Sequence, residues 1–188
     1  MKLELFEQEM KTRLTPRRFN HIIGCRETAC RLAEKWGVDV RDASAAALLH
    51  DITKELTTGE QLKFAEKHGI MISDTQHAVP ETLHAITGAK AAQVEFGVPE
   101  HISRAIRWHC TSKPGMTILE KIIWLADMTE PGRRFDGVER IRRTSFENLD
   151  LALLMGINRT LEYLIDSNGI IDPIMLESRN WLITAGVV

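Results

Sequence analysis

No apolar run in this 188-residue chain approaches the roughly 20 residues that a membrane-spanning helix needs. The first residues, Met1 to Arg13, mix charges and carry no apolar segment of the secretory-signal kind. An excess of one charge is missing too, since 24 Lys and Arg face 26 Asp and Glu for a net charge of -2. That leaves no basic footprint for nucleic acid or an anionic membrane surface, and neither is predicted as a partner. Cysteine is sparse: Cys25, Cys30 and Cys110 form an odd set without a CxxC pair. This argues against a disulfide framework or a cysteine zinc site, and predicts free thiols in a reducing cytoplasm. No stretch alternates convincingly with period two, and no repeat, low-complexity segment or linker divides the chain. With 44% apolar and 27% charged residues, the expectation is one all-α domain over residues 1–188 with a sizeable core.

What is present is helical periodicity with clear punctuation. Residues 2–13 predict a short amphipathic helix. Thr15-Pro16 offers an N-cap and a first-turn proline to a second helix, whose apolar stripe runs from Phe19 to Trp36 before Gly37. Asp39 caps a third helix that runs into His50-Asp51. Thr57 and Glu60 form a capping box that opens a fourth helix, to about His68. Residues 70–79 read as loop, Pro80 to Phe96 as a helix, and Pro99 to His109 as another. Residues 111–115 form a turn, and Thr117 with Glu120 caps the most apolar helix, stopped by Pro131-Gly132. A basic stretch with Arg133, Arg134, Arg140, Arg142 and Arg143 reads as irregular and, beyond Arg133, as a solvated face. Residues 147–167 and 173–184 read as the last two helices.

Six ionisable residues interrupt these apolar helices: His21, His50, Asp51, His84, His109 and Asp127. The pair His50-Asp51 directly follows the run Ala45–Leu49. Burying an unpaired imidazole and carboxylate costs several kcal/mol, roughly, so something must compensate them. Each residue alone has an ordinary reading, as a core histidine bonded to a carbonyl or an aspartate at a helix end. Together, four imidazoles and two carboxylates suit Fe, Mn, Co, Ni or Zn better than Mg, and two metals sharing a carboxylate would use the whole set. His68, His77 and His101 fit no motif and read as surface; Trp108 and Trp124 read as core.

The order His, His-Asp, His, His, Asp resembles the HD-domain superfamily of metal-dependent phosphohydrolases, and within it the YqeK family of symmetrical diadenosine tetraphosphate hydrolases. The matching stretches are Arg18–His21, Leu48–Lys54, His84–Ala89, Ala105–His109, Leu119–Asp127, Glu130–Arg133, and Pro173 through Asn180, so the likeness covers roughly residues 15–181. Two stretches depart from the family pattern. Cys110-Thr111-Ser112 stands where Thr-Thr-Gly is usual, and Asp172-Pro173-Ile174-Met175 where His-Pro-Asp-Thr is usual. Neither departure is expected to touch a ligand.

The resemblance implies an HD-domain helical bundle and a dinuclear centre, iron first, with Mn, Co, Ni or Zn as alternatives. His21, His50, Asp51 and Asp127 would hold one metal, and Asp51, His84 and His109 the other, with Asp51 bridging. It implies cleavage of diadenosine tetraphosphate into two ADP, with a hydroxide shared by the metals attacking phosphorus. Asp51 and Lys54 would be catalytic. Arg18, His21, Lys54 and Arg133 would meet the phosphates, and Thr111, Ile171 and Pro173 the nucleoside. The alternatives are a nucleotidase or pyrophosphohydrolase of another substrate, a mixed-valent di-iron oxygenase, and a nucleotide-binding regulatory module. A homodimer is left open.

Overall fold

The computed structural model describes residues 2–187, and among them every regular element is helical. Eleven α-helices follow in order: α1 Leu3–Arg13, α2 Pro16–Trp36, α3 Val40–Leu49, α4 Thr58–Lys67, α5 Asp74–Ala78, α6 Leu83–Phe96, α7 Glu100–Arg107, α8 Ile118–Thr129, α9 Val138–Glu147, α10 Leu149–Asp166 and α11 Pro173–Thr184. A 3-10 turn, Pro80–Thr82, leads into α6, so the helix expected from Pro80 begins with a tighter turn. No helix of the described residues is long and apolar enough to cross a membrane.

The alanine-rich α3 is the axis. All residues from Ala43 to Leu49 are buried, and α1, α2, α7 and α8 pack around it. Small side chains let the neighbours close in on α3, and its end delivers His50 and Asp51 to the middle of the molecule. The Asp39 side chain starts the helix by accepting from Arg41 N at 2.7 Å. Glu55, just beyond it, accepts from Thr15 N at 2.7 Å and Thr15 Oγ1 at 2.6 Å, which pins the start of α2 beside the end of α3. Gly88 of α6 lies against the same corner. A Cβ there would meet His50 O at 3.2 Å, so glycine is what lets α6 approach.

The capping box opens α8 as expected: Thr117 N donates to Glu120 Oε2 at 2.7 Å, and Glu120 N to Thr117 Oγ1 at 3.3 Å. Glu120 is buried and paired with Arg104 at 3.0 Å and Lys113 at 3.3 Å.

Two expectations are corrected. Within the supposed loop 70–79, Ser73 and Gln76 form a third capping box on α5. Within the supposed irregular basic stretch, Val138, Ile141, Thr144 and Ser145 form a buried helical face, that of α9. Arg142 is accordingly not a solvated side chain. It donates to Thr129 O at 2.7 Å, Glu130 O at 2.7 Å and Arg133 O at 3.0 Å, closing carbonyls at the C-terminal end of α8.

Candidate metal centre

Five structural sources bring the six ionisable residues to one point. α2 carries Arg18, His21 and Cys25 on one face. The end of α3 supplies His50 and Asp51, the first turn of α6 supplies His84, and the turn after α7 supplies His109. Asp127 comes from the last turn of α8. His50, Asp51, His84 and His109 are 1–3% exposed. Asp51 sits in the centre. Its Oδ2 lies 3.4 Å from His50 Nε2 and 3.7 Å from His21 Nε2. Its Oδ1 lies 3.3 Å from His84 Nε2 and 3.9 Å from His109 Nε2. One carboxylate oxygen therefore faces each pair of imidazoles. Asp127 Oδ1 joins the first pair, 3.0 Å from His21 Nε2.

The far nitrogens decide which ring atom is free. His50 Nδ1 lies 2.8 Å from Ala47 O, His84 Nδ1 2.7 Å from Glu81 O, and His109 Nδ1 2.7 Å from Ile106 O. His21 Nδ1 lies 3.3 Å from Glu130 Oε1. Each carbonyl needs a donor, so the proton belongs on Nδ1 of His50, His84 and His109, and their three Nε2 lone pairs point inward, whereas His21 Nε2 donates to Asp127 Oδ1. His50 Nε2 is buried without a hydrogen-bond partner. His84 and His109 place their Nε2 atoms 3.1 Å apart, lone pair toward lone pair. This donor set fits divalent metal: imidazoles and carboxylates, mostly buried, with their donor atoms gathered within 4.8 Å in overlapping groups.

The electrostatics agree. Burial would raise the Asp51 carboxyl, but His50, His84 and His109 outweigh it and hold it well below the usual carboxylate range. Asp127 is held low against burial by the His21 hydrogen bond, with His50 and Arg133. Burial pushes the His84 imidazole down to about 4, so it is neutral and free to ligate at pH 7. Burial lowers the His21 imidazole as well, but Asp127 and Asp51 win and raise it.

A family profile described as HD domain matches residues 18–132. The chain belongs to the HD-domain family. Over 176 residues, 93% of this chain and 94% of the relative, the HD domain is 37% identical to the symmetrical bis(5'-nucleosyl)-tetraphosphatase of Bacillus subtilis (strain 168). Over 182 residues it is 37% identical to the protein of that name from Halalkalibacterium halodurans, covering 94% of each. The crystal structure of a predicted HD superfamily hydrolase involved in NAD metabolism from Clostridium acetobutylicum superposes with a TM-score of 0.95 at 33% identity, over 98% of both chains.

Around this cluster of the HD domain stand three cations of interest. Arg18 Nη1 donates to Asp51 Oδ2 at 2.8 Å. Lys54 Nζ donates to Glu81 O at 3.2 Å and lies 3.2 Å from His84 Nδ1. Arg133 donates to Asp127 O at 2.8 Å and to Asp127 Oδ1 at 2.5 Å. Two cavities open beside the cluster. One, of about 460 Å³, is lined by His109, Cys110, Asp127, Arg133, Arg159 and Tyr163 among others. The second, of about 510 Å³, is lined by Arg17, Arg18, His21, Glu130 and Arg133 among others. Arg133 stands on the wall of both.

Lys54, Thr111, Ile171 and Pro173 line neither cavity. Thr111 is buried, Ile171 is packed against the core, and Pro173 starts α11. Arg159 and Tyr163 of α10 carried no sequence signal for the site. Glu130, within the Glu-Pro-Gly motif, proves to be the partner of His21, and the absence of a side chain at Gly24 makes room for it: a Cβ there would meet Glu130 Oε2 at 2.8 Å. The thiols also need correction. Cys110 does touch the cluster, with Sγ 3.2 Å from both His84 Nε2 and His109 Nε2. Cys25 Sγ lies 3.5 Å from His21 Nε2. Ser112, the other departure in that turn, adopts φ 70°, the region that favours the glycine usual there. Met175 is simply core.

Proposed function

We propose that this HD domain is a metal-dependent hydrolase that splits diadenosine tetraphosphate symmetrically into two ADP. The observation that carries this reading is the placement of Asp51, one oxygen toward each imidazole pair, in a chain similar over almost its whole length to symmetrical tetraphosphatases. His21, His50, Asp127 and Asp51 Oδ2 would hold one cation, and His84, His109 and Asp51 Oδ1 the other. Iron is the first candidate, since imidazole-rich mixed N/O sites suit it, with Mn, Co, Ni and Zn as alternatives. When bound, the pair supplies Lewis acidity toward phosphoryl oxygen and lowers the pKa of water.

The chain's own residues do the rest. Asp51 fixes the spacing of the two positions. Glu130 and the carbonyls of Ala47, Glu81 and Ile106 orient the imidazoles. Lys54 and Arg133, at the edges of the cluster, offer positive charge to the tetraphosphate and stabilise charge spreading over its oxygens in the transition state. Arg18 braces Asp51 and walls the second cavity. The two cavities, on either side of His21 and Asp127, give each nucleoside diphosphate half a place to lie. These cations favour a polyphosphate over an oxygenase substrate. The three free thiols suit a reducing compartment, the cytoplasm.

The test is a product assay on diadenosine tetraphosphate, its guanosine analogue and free nucleotides. ADP as sole product from the first supports the reading. AMP with ATP, or preferential release of phosphate from mononucleotides, overturns it.

A further inference from the structure

The two metal positions are not chemically equal, because Cys110 closes a triangle with two imidazoles. Cys110 Sγ lies 3.2 Å from His84 Nε2 and 3.2 Å from His109 Nε2, and those nitrogens lie 3.1 Å from each other. Both imidazoles are 3% exposed and have committed their protons to carbonyls, at Glu81 and Ile106. Two buried lone pairs aimed at one another call for a cation, or for the single thiol proton that Cys110 could offer to one of them. Edges of about 3.0–3.6 Å are what nitrogen and sulfur donors show when they share a cation at about 2.0–2.3 Å. Asp51 Oδ1 faces the same two imidazoles, 3.3 Å from His84 Nε2 and 3.9 Å from His109 Nε2.

We propose that Cys110 is a thiolate ligand of the second metal position, giving it an N2OS donor set against N2O2 at the first. The S–H bond breaks, the proton leaves to solvent and the sulfur–metal bond forms, with no change of oxidation state. Soft sulfur selects thiophilic divalent ions, zinc, iron and cobalt, over manganese and magnesium. The residue usual here in the resembling family is threonine, so this chain carries a position tuned toward softer metal. Cys25 is the competing thiol: its Sγ lies 3.5 Å from His21 Nε2 at the first position, where Asp127 and Asp51 already face that imidazole with carboxylate oxygens. Cys110 faces two imidazoles and a half-open cavity.

The inference rests on reading the cluster as a metal centre, and cobalt(II) titration separates the two. Visible d–d absorption reports that cobalt binds. A near-ultraviolet thiolate-to-cobalt charge-transfer band reports that sulfur ligates it. The band is expected in the full-length wild-type chain, in Cys25→Ser and in Cys30→Ser, and is expected to vanish in Cys110→Ser and Cys110→Thr while d–d absorption persists. Cys110→Thr is also expected to cut the preference for zinc over manganese by at least about 10-fold, as losing a soft donor requires. In wild-type protein, where no substitution can disturb folding, saturating zinc is expected to protect Cys110 from iodoacetamide. Bound cobalt without the band, a band that survives in Cys110→Ser or is lost in Cys25→Ser, or alkylation indifferent to zinc overturns the thiolate ligand and leaves the metal centre standing. Absence of all cobalt binding overturns both.

Discussion

Glu130 Oε1 lies 3.3 Å from Nδ1 of His21, while Glu130 Oε2 accepts from Gly132 N at 2.5 Å. One carboxylate thus joins the α8 end to the imidazole of α2. Glutamine keeps the size of this side chain but supplies only one acceptor oxygen for two donors. Glu130→Gln is therefore expected to loosen His21 and weaken metal binding by about 10- to 100-fold, the usual loss for a partner behind a ligand. Titration of metal affinity, with helical circular dichroism as control, checks it. Unchanged affinity would remove Glu130 from the site.

Ser112 is held at φ 70° with no exposed surface, and its Oγ has no protein partner. A side chain in the left-handed region costs about 1 kcal/mol against glycine, and an unpaired buried hydroxyl about 1–3 kcal/mol. Glycine returns about 1 kcal/mol through the greater freedom of its unfolded chain. Ser112→Gly is expected to stabilise the protein by about 1–2 kcal/mol and raise Tm by a few degrees. Calorimetry decides this; a lower Tm would mean that the hydroxyl is satisfied in solution.

Lys54 and Arg133 stand at the cluster edge and, on this reading, meet phosphate. Replacing either with alanine is expected to lower kcat/KM by about 30- to 1000-fold, the range for one charged transition-state contact. Metal content should stay at the wild-type level. Normal kinetics in both variants would move the phosphate grip elsewhere, with Arg159 the next cation on the cavity wall.

How much of this was legible in the sequence follows from what each feature depends on. The clustered residues were visible because ionisable residues at the ends of apolar runs, such as His50 after Leu49, have no cheap place in a core. Helix boundaries with local signals were visible too, as at Thr15-Pro16 and Thr117/Glu120. α9 was hidden because its buried face is short and set among arginines. The role of Arg142 depends on carbonyls at the far end of another helix. Cys110 looked remote because its contact comes from the turn after α7, which swings Sγ back over His84. Glu130 and Gly24 are adjacent only once α2 lies on α8.

Acidity gives a further check on the metal-free chain. His84 titrates near 4 when folded, through burial, and near 6.5 when unfolded. Between those values the unfolded chain binds more protons, so stability is lost as pH falls from about 6.5 through about 4, by up to about 2–3 kcal/mol from this residue. His21, raised by Asp127, works in the opposite sense, its contribution fading as pH rises. The informative quantity is the difference between chelator-treated wild type and His84→Gln: the variant should lose less stability over this window. Equal acid slopes would contradict a neutral, buried His84.

The central claim is that Asp51 bridges two cations, one on each oxygen. Metal content per chain in wild type and Asp51→Ala, measured alongside turnover of diadenosine tetraphosphate, tests it most directly. The account predicts two metals per wild-type chain, and one or none in a variant that stays helical and has lost activity by many powers of ten. A variant that keeps both metals and near-full turnover would contradict it.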